Sequence, residues 1–158
     1  MVKIFVFFIT VLFNGVVAAQ IGDIRFKNNI DSNEIIFTKE EFSGLPQSEI
    51  TTTTPWTPAG KPVTFRGVRI IDLLNYIDVS GSAFKIRALD GYEILISMDD
   101  IKSYNVLLAD EMDGKKLGVR DFGPYFIVYP VDEYNEELNI PKYLSQFIRQ
   151  VDEITVKK

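Results

Sequence analysis

The sequence predicts an α+β, β-rich fold rather than a parallel βαβ array. Short runs of β-branched and aromatic residues recur between Gly, Pro, Asn and Asp positions, and they amount to about eight or nine strands. Helical periodicity is confined to about three or four short segments. Because these helices do not alternate with the strands, the chain fits the α+β class.

Local patterns assign the elements of the first half. Thr38 with Glu41 forms a capping box that opens a short helix through Phe42. The apolar spacing of residues 68–77, at i, i+3 and i+4, predicts a second helix. The strands predicted in this half are Ile24–Lys27, Glu34–Phe37 and Glu49–Thr54.

Alternation and turn residues assign the second half. Residues 84–88 alternate apolar and basic side chains, Asp90-Gly91 is a hairpin turn, and Tyr92–Met98 is the return strand. Asp99 is expected to cap one short helix and Pro141 to begin another. The other predicted elements are strands at Val106–Asp110 and Tyr125–Tyr129, an acidic loop at Glu133–Leu138 and an edge strand at Ile148–Val156.

Residues 1–19 have the features of a secretory signal peptide. Lys3 precedes a ten-residue apolar run from Ile4 to Phe13, and Val17-Ala18-Ala19 fits the small-residue rule for cleavage before Gln20. The run is shorter than the roughly 20 residues that span a bilayer, which favours a signal peptide over a membrane anchor. We therefore expect one exported, periplasmic domain at residues 20–158.

Composition narrows the chemistry. The sequence contains no cysteine and no histidine, which argues against a zinc site, a serine triad of the usual kind and stabilisation by disulfides. A formal net charge of −5 without a basic run argues against nucleic acid as a partner.

The most informative stretch is Gly118–Pro130. It places Arg120 and Asp121 on a Gly-Pro turn that leads into an aromatic, β-branched strand beginning at Tyr125. The strand is expected to hold the turn so that both charges can contact a ligand. A structural ion pair within the turn explains the same two residues equally well.

Five segments, taken in order, resemble the molybdopterin-binding domain of the sulfite oxidase type. They are Thr54–Thr57, Phe65–Val68 with Asp72–Leu74, Ala88–Tyr92, Leu107–Gly114, and Val119–Asp121 with Gly123-Pro124 and Tyr129-Pro130. The resemblance implies the fold of the sulfite oxidase catalytic (molybdopterin-binding) domain. It is closest to a short, exported, single-domain branch that resembles periplasmic pterin-binding signalling proteins.

The chain departs from this family at the metal. Molybdenum enzymes of the family bind the metal through a cysteine thiolate located before the segment that corresponds to Phe65–Gly67. Here that region reads Thr51–Thr54, and a threonine hydroxyl is a hard oxygen that does not replace a soft thiolate. Molybdenum is therefore not expected, and a binding protein is favoured over an enzyme.

The resemblance implies a pterin as ligand, and three loops offer suitable groups. A carboxylate can accept from the amine and ring N–H of a pterin, a guanidinium can donate to its carbonyl, and an aromatic ring can cover its face. Trp56 also suits a core or lid position, and Asp90 an ordinary hairpin. The candidate ligand-binding residues are Thr54 and Trp56, Asp90 and Tyr92, and Arg120 with Asp121 and Tyr125.

The resemblance, the signal peptide and the missing cysteine together predict reversible pterin binding in the periplasm without redox activity. Occupancy would be relayed to the periplasmic region of a membrane-bound cyclic-di-GMP enzyme (a diguanylate cyclase or phosphodiesterase) or of a sensor kinase. One alternative is a molybdenum-cofactor-dependent oxidoreductase or its subunit. Another is an interaction protein with an empty pocket, for which the acidic Asp132–Glu137 stretch is one docking surface.

Overall fold

The computed structural model describes residues 20–28 and 34–157, so the predicted signal peptide at 1–19 lies outside the described residues. The described chain contains ten strands and five short helices. In chain order they are β1 (Ile24–Asn28), β2 (Glu34–Phe37), α1 (Lys39–Gly44), β3 (Ser48–Thr52), β4 (Val63–Arg69), α2 (Ile70–Tyr76), β5 (Ala83–Ala88), β6 (Glu93–Ser97), α3 (Met98–Ser103), β7 (Leu107–Met112), β8 (Lys115–Lys116), β9 (Phe126–Val128), α4 (Asn135–Leu138), α5 (Pro141–Leu144) and β10 (Val151–Lys157). None of the described helices is long and apolar enough to cross a membrane.

The strands form two sheets. The first has the order β2-β1-β10-β5-β6, and the second has the order β3-β4-β7-β8, with β9 also paired to β7. Among the described strands, only β1 and β10 pair in parallel. Antiparallel pairing with few helices is the arrangement expected of a strand-rich α+β fold.

One connected cluster of buried apolar side chains includes residues of both sheets. Phe65 of β4 contacts Phe126 of β9 with ring centroids 5.5 Å apart, and Phe126 in turn contacts Phe147 at 6.1 Å. Phe147 also packs on Tyr129, at 5.9 Å. These aromatic contacts attach the segment after α5 to the core, each adding roughly 0.5–1.5 kcal/mol beyond area burial.

Sequence patterns predicted the elements correctly where the interacting residues are close together in the chain. The capping box is present, with Thr38 Oγ1 accepting from Glu41 N at 3.2 Å and Thr38 N donating to Glu41 Oε2 at 2.8 Å. The Asp90-Gly91 hairpin joins β5 to β6 in antiparallel register. Both features depend on residues only a few positions apart.

The predicted helix over residues 68–77 begins too early. Val68 belongs to β4 and pairs with Leu108 of β7, and helix α2 begins at Ile70. The register between β4 and β7 shifts after Arg66, where Asp110 of β7 has no partner in β4, and Gly67 and Val68 are both buried. Consecutive buried positions at the end of a strand resemble the apolar spacing of a helix, and for this reason the predicted helix began two residues too early.

The predicted edge strand at Ile148–Val156 lies in the middle of its sheet. β10 pairs with β1 on one side and β5 on the other. Asp152 and Glu153 on this strand both form ion pairs with basic residues of the neighbouring strands. Charge on a strand therefore did not indicate exposure here.

Two smaller predictions are also corrected. The acidic loop at Glu133–Leu138 contains helix α4, which is anchored by the buried Leu138. Ser97, not Asp99, caps α3, since its Oγ accepts from Asp100 N at 3.0 Å.

Candidate functional site

A cavity of about 350 Å³ lies between the β5–β6 hairpin, the loop that carries Trp56 and the segment after α5. Its size is within the usual range for small-molecule sites, roughly 300–1,000 Å³. We call it the Trp56 cavity. Its lining residues are Trp56, Ala88, Asp90, Tyr92, Leu144, Ser145, Phe147, Ile148 and Arg149.

The indole of Trp56 is held at both ends. The Thr54 hydroxyl accepts from the backbone N–H groups of Trp56 and Thr57, both at 3.1 Å, which closes a tight turn. The indole Nε1 then donates to the Phe147 carbonyl at 3.0 Å. Trp56 remains 48% exposed, so it offers surface to a ligand from a fixed position. Thr54 does not line the cavity, and its contacts build the turn.

The hairpin supplies the second wall. Asp90 Oδ1 accepts from Tyr92 N at 3.0 Å, and Gly91 between them has a φ of +86°, which favours glycine. The Tyr92 hydroxyl reaches across to the Ser145 carbonyl at 3.3 Å. Asp90 forms no ion pair with any described residue, and its carboxylate is the only acidic group in the lining.

The third wall is the chain between α5 and β10, and hydrogen bonds of Gln146 hold it in place. Burial raises the pKa of Tyr129, and the nearby Asp100 carboxylate adds to the shift. The hydroxyl therefore stays protonated and donates to Gln146 Oε1 at 2.6 Å. Gln146 Nε2 donates to the Leu95 carbonyl of β6 at 3.1 Å. The first bond connects the third wall to the chain after β9, and the second connects it to the β5–β6 hairpin.

Arg149 is a lining residue that sequence reasoning missed. Its Cζ atom lies 4.8 Å from the centroid of the Trp56 ring, a cation–π contact. No motif links the two residues, which are distant in the chain. The available signal was a lone basic residue directly after the apolar Phe147-Ile148 pair, but such a residue is usually solvated.

Arg120 and Asp121 lie outside the Trp56 cavity. Both are exposed on a turn in which Asp121 N and Gly123 N donate to the Gly118 carbonyl, at 3.0 and 2.9 Å. Their side chains form no ion pair with each other. Backbone hydrogen bonds therefore hold the turn, in place of the structural ion pair that the sequence also allowed.

Tyr125 also lies outside the Trp56 cavity, and its side chain is packed in the protein core. It is 2% exposed, its ring contacts Phe42 with centroids 4.6 Å apart, and its hydroxyl donates to the Gly22 carbonyl at 2.6 Å. Burial, followed by the Asp110 carboxylate, raises its pKa. Of the seven candidate residues, the structure brings Trp56, Asp90 and Tyr92 together.

Comparison with known proteins identifies the fold. Neither a family model nor a curated protein matches the chain. Among solved structures, the sulfane dehydrogenase SoxCD from Paracoccus pantotrophus superposes with a TM-score of 0.64 at 15% sequence identity. The two proteins share a fold. The match covers 85% of this chain and 38% of that one, so this chain corresponds to less than half of the dehydrogenase.

This likeness confirms the predicted fold class, a strand-rich α+β domain of the sulfite oxidase type. At such low identity it establishes the fold alone. The ligand and the roles of the seven candidate residues stay predictions.

The residues present do not fit a molybdenum centre bound as in that family. The sequence contains no cysteine, and the hydroxyls of Thr51–Thr54 are hard donors that already have protein partners. The Thr52 hydroxyl accepts from Asp132 N at 3.1 Å, and the Thr53 hydroxyl donates to Asp132 Oδ1 at 2.6 Å. This region therefore joins the Trp56 loop to the chain beyond β9.

Proposed function

We propose that the protein binds a pterin reversibly and non-covalently in the Trp56 cavity. The observation that carries the proposal is the presence, in one cavity of about 350 Å³, of a fixed, half-exposed indole and a carboxylate that has no ionic partner among the described residues. A pterin is flat, with hydrogen-bond donors along one edge. It matches an aromatic platform combined with one acidic acceptor.

Each wall then has a defined task. One oxygen of Asp90 is used by Tyr92 N, and the other is left to accept from the amine and ring N–H of the pterin. The Trp56 ring covers one face of the bicycle, and the apolar side chains of Leu144 and Ile148 exclude water from the remainder. Tyr92 closes the hairpin side.

The proposal extends to location and partner. We infer from the signal-peptide features that the protein acts in the periplasm, and from the family resemblance that the liganded protein docks on the periplasmic region of a membrane signalling enzyme. That partner would make or degrade cyclic-di-GMP, or be a sensor kinase. The ligand would act as a signal and would not be transformed.

The direct test is a titration of residues 20–158 with dihydro- and tetrahydropterins. Trp56 is the only tryptophan in the sequence, so its emission, corrected for inner-filter effects, reports on the cavity, and calorimetry gives the stoichiometry. We expect saturable one-to-one binding with a Kd in the micromolar range or tighter. A protein shown by mass spectrometry to be unliganded that binds no pterin would overturn the proposal and favour an interaction protein with an empty pocket.

A redox role is the second candidate, favoured by the likeness to a dehydrogenase. Elemental analysis of the protein purified from its native host separates the two. We expect molybdenum far below one equivalent. Near-stoichiometric molybdenum would favour the oxidoreductase, which would have to bind its cofactor without a thiolate.

A further inference from the structure

Arg149 is the only basic residue that lines the Trp56 cavity, and it has no acidic partner among the described residues. Among the described residues, its side chain makes no hydrogen bond or ion pair, and its ring contact is with Trp56, 4.8 Å from Cζ to the centroid. A guanidinium held over an indole ring keeps its N–H groups for hydrogen bonds, because the ring contact uses none of them.

This lack of a partner is unusual within the chain. Four of the other arginines lie within 4.0 Å of a carboxylate, namely Arg25, Arg66, Arg69 and Arg87. Arg120 is the exception, and it lies on an exposed turn outside the cavity. In the described part of the chain, the Trp56 cavity combines a guanidinium without an acidic partner with a concave, partly apolar surface.

We infer that Arg149 recognises an acidic substituent on the ligand, a carboxylate or a phosphate. This inference rests on the proposed function and specifies its ligand. The guanidinium fork matches both acidic groups in a bidentate manner, and such charge-assisted pairs are stronger than bonds to a neutral hydroxyl. Asp90 serves the donor edge of the pterin, and the substituent extends from the ring at the other end. A pterin with an acidic side chain thus uses both charges of the cavity.

The test compares three dihydropterins that differ only in the side chain. They are 6-hydroxymethyl-7,8-dihydropterin, its phosphate ester, and 7,8-dihydropterin-6-carboxylate. Binding to residues 20–158 is measured by anaerobic calorimetry, because Arg149 variants alter Trp56 emission directly. The two acidic probes distinguish carboxylate from phosphate as the preferred group.

We expect the wild-type protein to bind at least one acidic probe about tenfold more tightly than the hydroxymethyl compound. Arg149→Gln removes that preference, so that the affinity for the acidic probe falls about tenfold more than the affinity for the hydroxymethyl compound. Arg149→Lys keeps part of the preference, because the charge remains and the fork is lost. Lys61→Gln is the matched charge control, since Lys61 is an exposed residue of the same β3–β4 loop as Trp56 and does not line the cavity.

Three results would overturn the inference while leaving pterin binding intact. These are equal affinity of the wild type for all three probes, an equal loss for all three in Arg149→Gln, and an equal loss of preference in Lys61→Gln. The second result would mean that Arg149 only supports the indole. Failure of the wild type to bind any of the three would overturn the proposed function itself.

Discussion

The two carboxylate oxygens of Asp90 have separable tasks. Oδ1 shapes the hairpin by accepting from Tyr92 N at 3.0 Å, and Oδ2 is proposed to accept from the pterin. Asparagine keeps the first task, since Asn-Gly is a favoured hairpin pair. It loses the second, because its amide presents a donor where an acceptor is needed.

Asp90→Asn should therefore weaken pterin binding by about tenfold to a hundredfold, as expected for loss of a charge-assisted pair. The free energy of unfolding should change by less than about 0.5 kcal/mol. Calorimetry and urea denaturation measure the two quantities. The control is Asp113→Asn, in another Asp-Gly turn that lies outside the cavity. There the Asp113 Oδ1 accepts from Thr64 N at 3.0 Å. Equal loss of affinity in both variants would contradict the role given to Asp90.

A Tyr125 variant tests whether the hydroxyl of this residue stabilises the fold or binds the ligand. Its buried O–H donates to the Gly22 carbonyl at 2.6 Å, so Tyr125→Phe should lower the free energy of unfolding by about 1 kcal/mol. Urea denaturation at neutral pH measures this change. If the variant lost pterin affinity at unchanged stability, Tyr125 would return to the ligand-binding residues.

At the scale of elements, Gly67 shows why β4 and β7 pack so closely. A Cβ built on Gly67 would lie 2.1 Å from the Leu108 carbonyl oxygen and 2.6 Å from Ala109 Cα, both backbone atoms that cannot rotate away. Gly67→Ala should therefore lower the free energy of unfolding by about 3 kcal/mol or more, because the central pair of the second sheet must separate.

Thermal or urea denaturation measures this loss, with Gly44→Ala as the control. Gly44 ends α1, and its added Cβ would have nothing within 4 Å. That variant should stay within about 0.5 kcal/mol of the wild type. Similar stabilities for the two variants would show that β4 and β7 can relax around the methyl group.

The elements also show how far sequence patterns extend. The capping box and the Asp90-Gly91 hairpin were predictable because each depends on a few adjacent residues. The extent of β4 and the central place of β10 were not, because both depend on strands paired from distant parts of the chain. The fold class needed only the number and order of elements, which explains why it was predicted correctly.

The same reasoning separates the parts of the candidate site. Trp56 and the hairpin residues lie on loops whose composition stands out locally, and the fold brings them into one cavity. Arg149 joins them through tertiary packing that no spacing rule describes. Arg120 and Asp121 had an equally conspicuous local pattern, yet they are not among the residues that line the cavity. Local composition therefore indicated which loops carry candidate ligand-binding residues, but it could not show which of these loops lie close together in the fold.

For the whole molecule, the first sheet is joined across three strands by one ionic network. Glu153 of β10 lies 2.8 Å from Lys27 Nζ of β1 and 3.0 Å from Arg87 Nη2 of β5. Its side chain is 6% exposed. Burial alone would raise the pKa of Glu153, but the hydrogen bond from Lys27 and the positive charges of Arg87, Lys27 and Arg25 outweigh it and lower that pKa. The network therefore favours the folded state when Glu153 is ionised.

This sign sets the pH at which the contribution disappears. Because the pKa of Glu153 is lower in the folded protein than its ordinary value of 4.5, the stabilisation is complete above that value and is lost as the pH falls towards the folded value. Glu153→Gln should be less stable than the wild type by about 2 kcal/mol at pH 7. Urea denaturation between about pH 7 and pH 3 should show this gap closing only below about pH 4.5.

Glu136→Gln, at an exposed position without an ionic partner among the described residues, should show no gap at any pH. A gap for Glu153→Gln that stayed constant down to pH 3 would mean that packing, and not the carboxylate charge, connects the three strands.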